Sequence, residues 1–106
     1  MDLSGADLRG ADVWRLKLPS TDLSGTDLRG ATLAEVDLSR ATLVDADLEG
    51  AVLIGANLRK AEMGGANLKQ SHPGAADLSN TDLSYAKLDG AKLNGAALRG
   101  ATLPPR

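Results

Sequence analysis

Residues 21–40 read TDLSG TDLRG ATLAE VDLSR, four units of five residues with leucine at the third position of each. The same spacing holds along the rest of the chain, where leucine occupies 18 of 21 such positions and Val13, Met63 and Pro73 are the exceptions. The residue two places before is alanine in 14 units and threonine in three, and the residue between is aspartate in nine. Internal repetition of this regularity outranks any local motif in predicting a fold.

A period of five residues fits neither ordinary secondary structure. In an α-helix at ~100° per residue, five residues carry the side chain about 140° past a full turn, so the leucines would spread around the cylinder. In a strand, side chains alternate between faces, so an odd period would place successive leucines on opposite sides. A single buried stripe requires the chain to turn after every unit, always towards the same side. The pattern predicts a solenoid with leucine and alanine inside and the other three residues outside.

The units resemble those of the pentapeptide-repeat protein family, in one register over residues 1–105. That family's pattern is a small residue, Asp or Asn, Leu or Phe, and two variable residues. The resemblance implies an all-β fold, a right-handed, four-sided parallel β-helix in which each side is one pentapeptide and each coil is four. The chain is then a single domain over residues 1–106, with about five coils stacked on one another.

The fifth position of each unit supports a coil of twenty residues. One column at that spacing holds Gly10, Gly30, Gly50, Gln70 and Gly90. A column ten residues away holds Ser20, Arg40, Lys60, Asn80 and Gly100. The oversized inward residues Leu16 and Val36 are also twenty apart. Because glycine suits positive φ and close backbone approach, its clustering predicts that different corners use different turn geometries.

Four sides distribute a net charge of −2 unevenly. Side one, the units that start at residues 1, 21, 41, 61, 81 and 101, has no lysine or arginine and carries Asp2, Asp22, Asp45, Glu62 and Asp82. Side two starts at residue 6 and mixes acids with arginines and lysines, which are expected to relieve repulsion between stacked aspartates. Side four starts at residue 16 and is the more basic, through Lys17, Arg40, Arg59, Lys60 and Arg99. Charged columns of this kind are also typical of ordinary solvated surfaces.

Side three, which starts at residue 11, is the least charged. The outward positions of a solenoid are expected to be polar, yet here they include Trp14, Ala34, Val52 and Ile54. A contiguous apolar strip is typical of an interaction site, so these four residues are the candidate partner surface. Single exposed apolar side chains are common, which is the competing interpretation. The acidic side one is the alternative surface.

The sequence contains no pattern of an active site. His72 is the sole histidine and lies in SHPGA, the poorest match to the repeat, where Pro73 in the leucine position predicts a core defect or a bulged loop. No glycine-rich phosphate loop or metal-ligand spacing is found, and no cysteine is available for disulfides or thiolate ligands. We therefore expect no catalytic residue, no cofactor and no bound metal.

Composition narrows the class of partner. One Trp and one Tyr offer no stacking platform for nucleic acid. No apolar run approaches the ~20 residues of a membrane span, and the repeat begins without room for a signal peptide, so the expected compartment is the cytoplasm. We expect a non-catalytic scaffold or protein-interaction module of unknown protein partner, without direct nucleic-acid or membrane binding.

Two alternatives stay open. One is a DNA-mimicking protein that binds a topoisomerase such as gyrase, as some members of the resembled family do. Those members are long, strongly acidic rods, often with phenylalanine inside and a dimerising C-terminal end. Here there is no phenylalanine, the net charge is modest, and the chain ends in Pro104, Pro105 and Arg106. The other alternative is a domain of a larger adaptor.

The ends of the solenoid predict self-association. The first and last coils of a β-helix have unpaired strand edges unless something covers them. Pro104 and Pro105 lack amide hydrogens and are expected to blunt the C-terminal edge. The sequence therefore predicts an end-to-end homodimer through the N-terminal coil, with Leu3 and Leu8 covered in the contact.

Overall fold

Each five-residue unit follows the same backbone course in the computed structural model, which describes residues 1–105. The residue before the inward position forms a β-bridge in every unit except 91–95, and the two residues after the inward position form a turn in every unit up to 96–100. All sixteen bridges are parallel and join residues twenty apart, as Asp22 pairs with Thr42 and Thr42 with Glu62. Within these residues there is no helix, and no strand is longer than the single bridging residue. The predicted four-sided parallel β-helix is confirmed, and Arg106, the last residue of the predicted domain, lies outside the described residues.

Two kinds of backbone hydrogen bond build the coils, which are residues 1–20, 21–40, 41–60, 61–80 and 81–100. Within a unit, the leucine carbonyl accepts from the amide three residues on, as Leu43 accepts from Ala46 at 3.0 Å, and this bond closes the corner. Between coils, the Leu43 amide donates to the Glu62 carbonyl at 2.6 Å, and the Thr42 amide donates to the Thr21 carbonyl at 3.0 Å. Every interior unit is thus bonded to the coil on each side, which satisfies its backbone polar groups.

One turn geometry serves every corner. All twenty fifth-position residues from Gly5 to Gly100 have positive φ, between 56° and 74°, and half of them are not glycine. The prediction that different corners use different geometries was therefore wrong. A left-handed residue at the third position of a β-turn is the conformation of a type II turn, and each corner must rotate the chain in the same sense. A non-glycine residue there costs roughly 1–2 kcal/mol, and the ladder tolerates that cost.

The corners yield a paired stability prediction. Tyr85 is exposed and has φ 61°, so Tyr85→Gly should raise the free energy of unfolding by about 1 kcal/mol. Gly50→Ala should lower it by about 1 kcal/mol, because a Cβ at Gly50 meets no atom within 4 Å and only the backbone is penalised. Urea denaturation of both variants measures the two changes. Shifts of the same sign would contradict the strain argument.

The core is a continuous column of leucine and alanine. Leu48, Leu53 and Leu58 in the third coil are at most 1% exposed. Leu83 of the fifth coil is also fully buried. Six leucines of the end coils pack against this column but are only partly buried: Leu3, Leu8, Leu18, Leu88, Leu93 and Leu98. Val36 is buried as predicted, whereas its counterpart Leu16 is 48% exposed. Leu16 is exposed because no coil of the described chain covers the outer face of the first coil.

The irregular unit SHPGA stays in register. Pro73 is buried in the leucine position, and its carbonyl accepts the corner bond from Ala76 at 2.9 Å. The His72 amide donates to the Ala51 carbonyl at 2.9 Å, so the predicted bulged loop was wrong. Because proline has no amide hydrogen, the carbonyl of Lys92 in the next coil loses its donor. Between the five coils of residues 1–100, the pair 72–92 is the one bridge missing from the ladder.

Candidate functional site

The apolar residues of side three lie on the surface, as predicted. Trp14 and Ile54 are 53% and 50% exposed, and Ala34 and Val52 are partly exposed. Trp14, Ala34 and Ile54 occupy the same turn position in three successive coils, so they form one column. With coils ~4.8 Å apart, the column extends about 10 Å along the axis. The structure brings the four predicted residues together on one side, and their role in binding stays a prediction.

A charged pair borders this apolar strip. The Arg15 guanidinium lies 4.5 Å from the centroid of the Trp14 ring, a cation–π geometry. The Arg15 Nε also donates to Glu35 Oε1 at 3.1 Å across the two coils. These contacts restrain the indole in one orientation without burying it. The sequence analysis did not predict this ion pair, although two opposite charges at corner positions twenty residues apart indicate it.

Three of the five acids of side two are paired with arginines. Arg9 Nη2 lies 2.8 Å from Asp7 Oδ2, and Arg9 Nε lies 3.8 Å from Asp27 Oδ2 in the next coil. In the same way, Arg29 Nη2 lies 2.7 Å from Asp27 Oδ2, and Arg29 Nε lies 3.7 Å from Asp47 Oδ2. The hydrogen bonds from the Arg9 side chain and backbone lower the pKa of Asp7 to about 2. The predicted relief of repulsion is confirmed, because each arginine links two successive coils. Most of the charge on side two is therefore already satisfied within the protein.

Two acids of side one have hydroxyl partners instead. The Ser4 hydroxyl donates to Asp2 at 2.7 Å and the Ser84 hydroxyl donates to Asp82 at 2.6 Å. These side-chain bonds, with the backbone amides of the same serines, lower the pKa of both aspartates. Within residues 1–105, no lysine or arginine lies within 4 Å of the side-one acids Asp2, Asp22, Asp45, Glu62 and Asp82. Side one keeps its negative charge.

Side four is basic, as the sequence predicted, but its cations are unequally paired. Arg59 Nε lies 3.8 Å from Asp77 Oδ2. The pKa of Asp77 is lowered first by hydrogen bonds from Ser79 and then by the charge of Arg59. Arg40 and Lys60 have no carboxylate within 4 Å among the described residues. The arginines of side two are all bonded to carboxylates, whereas Arg40 of side four is not.

Neither a metal-binding cluster nor a membrane-spanning helix is found among residues 1–105. In the part of the chain that the structure describes, no three His, Asp or Glu side chains are grouped to hold a metal ion. No helix of residues 1–105 is long and apolar enough to cross a membrane. His72 is half-buried, and its backbone pairs with the preceding coil.

Comparison with models of protein families identifies the family of this chain. The model described as "Pentapeptide repeats" matches in eight copies, over residues 2–33, 33–70 and 75–103. The chain belongs to the pentapeptide repeat family. This family model describes a structural repeat and not an enzyme. The internal gap between the matched ranges, residues 71–74, lies around Pro73, where the ladder loses its one bridge.

Solved structures of other pentapeptide repeat proteins share the architecture. A protein from the Arabidopsis thaliana thylakoid lumen is 27% identical, with a TM-score of 0.63 over 97% of this chain and 70% of that one. Rfr23 from the cyanobacterium Cyanothece 51142 is 25% identical, with a TM-score of 0.54 over 96% of this chain and 90% of that one. QnrB1, a plasmid-mediated fluoroquinolone resistance protein, is 21% identical, with a TM-score of 0.69 over 96% of this chain and 59% of that one. The fold is the right-handed quadrilateral β-helix. Among proteins with curated descriptions, none matches this sequence.

Proposed function

We propose that this pentapeptide repeat protein is a non-catalytic scaffold that binds a protein partner through side three. The observation that supports this most is Trp14, which stays 53% exposed while Arg15 and Glu35 restrain it. Tryptophan is among the residues that contribute most to protein interfaces. A restrained ring loses less conformational entropy on binding than a free one. The adjoining Ala34 and Ile54 extend the apolar contact.

Sides one and two offer less to a protein partner than side three does. On side two the arginines already bond the stacked aspartates, so a partner would have to displace those pairs. On side one the carboxylates face water, and their desolvation would need a basic partner. The molecule measures 30 × 23 × 21 Å. One side is thus somewhat smaller than the ~800 Å² that each protein buries in a standard interface, so a partner on side three also contacts the adjoining corners.

Substitution of Ile54 tests this surface. Ile54→Lys should weaken the partner at least about tenfold, equivalent to about 1.4 kcal/mol, because a charge replaces an apolar contact. Thermal stability should stay near that of the wild type, since Ile54 is 50% exposed. Trp14 is the only tryptophan, so its fluorescence should shift to shorter wavelength when a partner purified from the native host is added.

The matched control lies on side one. Charge reversal at Asp22 and Asp82 alters the exposed surface without touching side three, and it should leave binding unchanged. If binding survives Ile54→Lys but is lost after that reversal, the acidic side is the interface. A tryptophan emission unchanged at saturating partner would also exclude side three.

The DNA-mimic alternative agrees poorly with the density of negative charge on this protein. Duplex DNA carries one negative charge per ~1.7 Å of axis, so a rod of five coils at ~4.8 Å each would need about 14 negative charges to match it. The chain has 14 acidic residues but also 12 basic ones, and on side two these neutralise each other. The likeness to QnrB1, at 21% identity, extends to the fold alone.

A gyrase supercoiling assay tests this alternative. We expect no inhibition of supercoiling and no protection from a fluoroquinolone at a molar excess of the protein. Inhibition that disappears after charge reversal at Asp22 and Asp82 would favour the mimic. The domain-of-an-adaptor alternative is compatible with a partner on side three. The cytoplasm stays a prediction, and one structural neighbour is a thylakoid lumen protein.

A further inference from the structure

A cleft opens on side four between the second and third coils. It is lined by Ser39, Arg40, Asn57, Arg59 and Lys60. Arg40 and Lys60 occupy the same corner position in successive coils, and both have φ 60°. The cleft thus gathers three cationic side chains within two adjacent units of the repeat.

The charges around the cleft are not balanced by close partners. Among residues 1–105, Arg40 and Lys60 have no carboxylate within 4 Å, and Arg59 has only Asp77 at 3.8 Å. On side two, by contrast, Arg9 and Arg29 each bond a carboxylate at 2.8 Å or less. Like charges on neighbouring coils repel unless a counter-ion lies between them. An anion in the cleft would supply that counter-ion.

The polar groups of the cleft are mainly donors. Asn57 Oδ1 already accepts a hydrogen bond from the Arg59 backbone amide at 3.1 Å. The Nδ2 group of Asn57 is therefore the part of this side chain that can donate to a ligand. The nearby Asp37 carboxylate is engaged by the Ser39 amide at 3.0 Å and the Ser39 hydroxyl at 2.7 Å. The guanidinium groups and the ammonium group carry donors only. This set of donors matches an oxyanion.

We propose that this cleft binds a phosphate group. Arginine presents paired N–H groups that fit two oxygens of a phosphate, and lysine adds a compact point charge. Two arginines, a lysine and an amide donor can approach a tetrahedral group from several directions, whereas a planar carboxylate presents only two oxygens. A phosphate dianion also compensates more of the local positive charge than a carboxylate. The site is separate from side three and does not depend on the proposed partner.

Titration with inorganic phosphate, at constant ionic strength and followed by amide chemical shifts, tests the proposal. Saturable shifts should be confined to the five residues of the cleft. Arg40→Gln and Lys60→Gln should each weaken phosphate binding about tenfold. Arg99→Gln is the matched control, since it removes a cation of side four outside the cleft and should leave the affinity unchanged. All three side chains are exposed, and a thermal melt of each variant checks that it remains folded.

Two further results decide the proposal and the source of the phosphate. Shifts that grow without saturation at every lysine and arginine, or equal losses in Arg40→Gln and Arg99→Gln, would overturn it. The same titration with O-phosphoserine identifies the form of the ligand, because both probes present the same oxyanion. Tighter binding of O-phosphoserine would assign a phosphate monoester, and tighter binding of inorganic phosphate would assign the free ion.

Discussion

Replacing Leu48 with aspartate is expected to abolish cooperative folding. Leu48 lies in the middle of the stack and is 0% exposed. Removing a buried leucine side chain costs roughly 2–5 kcal/mol, and an unpaired buried carboxylate adds several kcal/mol more. The sum is comparable with the ~5–15 kcal/mol that stabilises a typical domain. No cation lies in the interior to compensate the charge, because the only polar or charged side chains buried among the described residues are Thr21, Thr26, Ser71 and Thr81.

Far-UV circular dichroism during a thermal melt measures this effect. The wild type should give a β spectrum with little helix and a cooperative transition, and Leu48→Asp should give neither. Leu48→Ala should remain folded with a lower melting temperature, because it leaves a cavity without a charge. Glu49→Lys changes charge at the adjacent exposed position and should melt like the wild type. A helix-dominated wild-type spectrum, or an unchanged melt of Leu48→Asp, would contradict the fold.

The architecture was predictable because the repeat imposes it geometrically. A leucine at every fifth position can be buried only if the chain turns once per unit, and the glycine column gave the twenty-residue coil that the bridges confirm. The corner geometry was not predictable from glycine alone. Arg40 and Tyr85 adopt the same positive φ as glycine, since the bonds on both sides of each corner outweigh the local cost. The bulged loop expected at Pro73 does not form for a similar reason, because the ladder tolerates the loss of one bond.

The side on which each surface residue lies was predictable from the sequence, but the contacts between exposed side chains were not. Assigning residues to four sides correctly put Trp14 and Ile54 outside and paired acids with arginines on side two. The stacking of Arg15 on Trp14 and the cleft at Arg40 and Lys60 depend on the rotamers of exposed side chains. The five-residue repeat does not constrain those rotamers, so only the structure reveals which charges meet and which remain without partners.

The polypeptide of residues 1–106 is expected to dimerise through its first coil. Leu8 and Val13 are only partly buried there, and Leu16 is 48% exposed. In the first coil, the amides and carbonyls of Asp7 and Asp12 have no backbone partner within residues 1–105. The equivalent groups of interior coils bond the preceding coil. A second copy laid over this end would bury the leucines and pair the backbone groups.

The unpaired backbone groups of the first coil allow a twofold contact at this end. Asp7 directs both its amide and its carbonyl outward, because the equivalent Asp27 bonds Ala6 and Leu8 of the preceding coil. A residue with both groups on one edge can exchange two bonds with its counterpart in an antiparallel pair, as an isologous dimer requires. At the other end, the amides of Leu88 and Gly90 and the carbonyl of Ala86 point outward, because the equivalent groups of interior coils bond the following coil. At that edge the outward amide and carbonyl belong to different residues, so no single residue there exchanges both bonds as Asp7 can.

Light scattering after size exclusion, over a range of protein concentrations, decides between the ends. Leu8→Lys should dissociate the dimer, because it places a charge in the contact, whereas Leu98→Lys makes the same change at the opposite end and should leave the dimer intact. A strictly monomeric wild type at high concentration would contradict the prediction. Growth beyond dimers would indicate head-to-tail stacking, in which the outward carbonyls of one copy meet the outward amides of the next and no twofold axis closes the assembly. In that case both substitutions should shorten the oligomers, so the two variants together identify the contact.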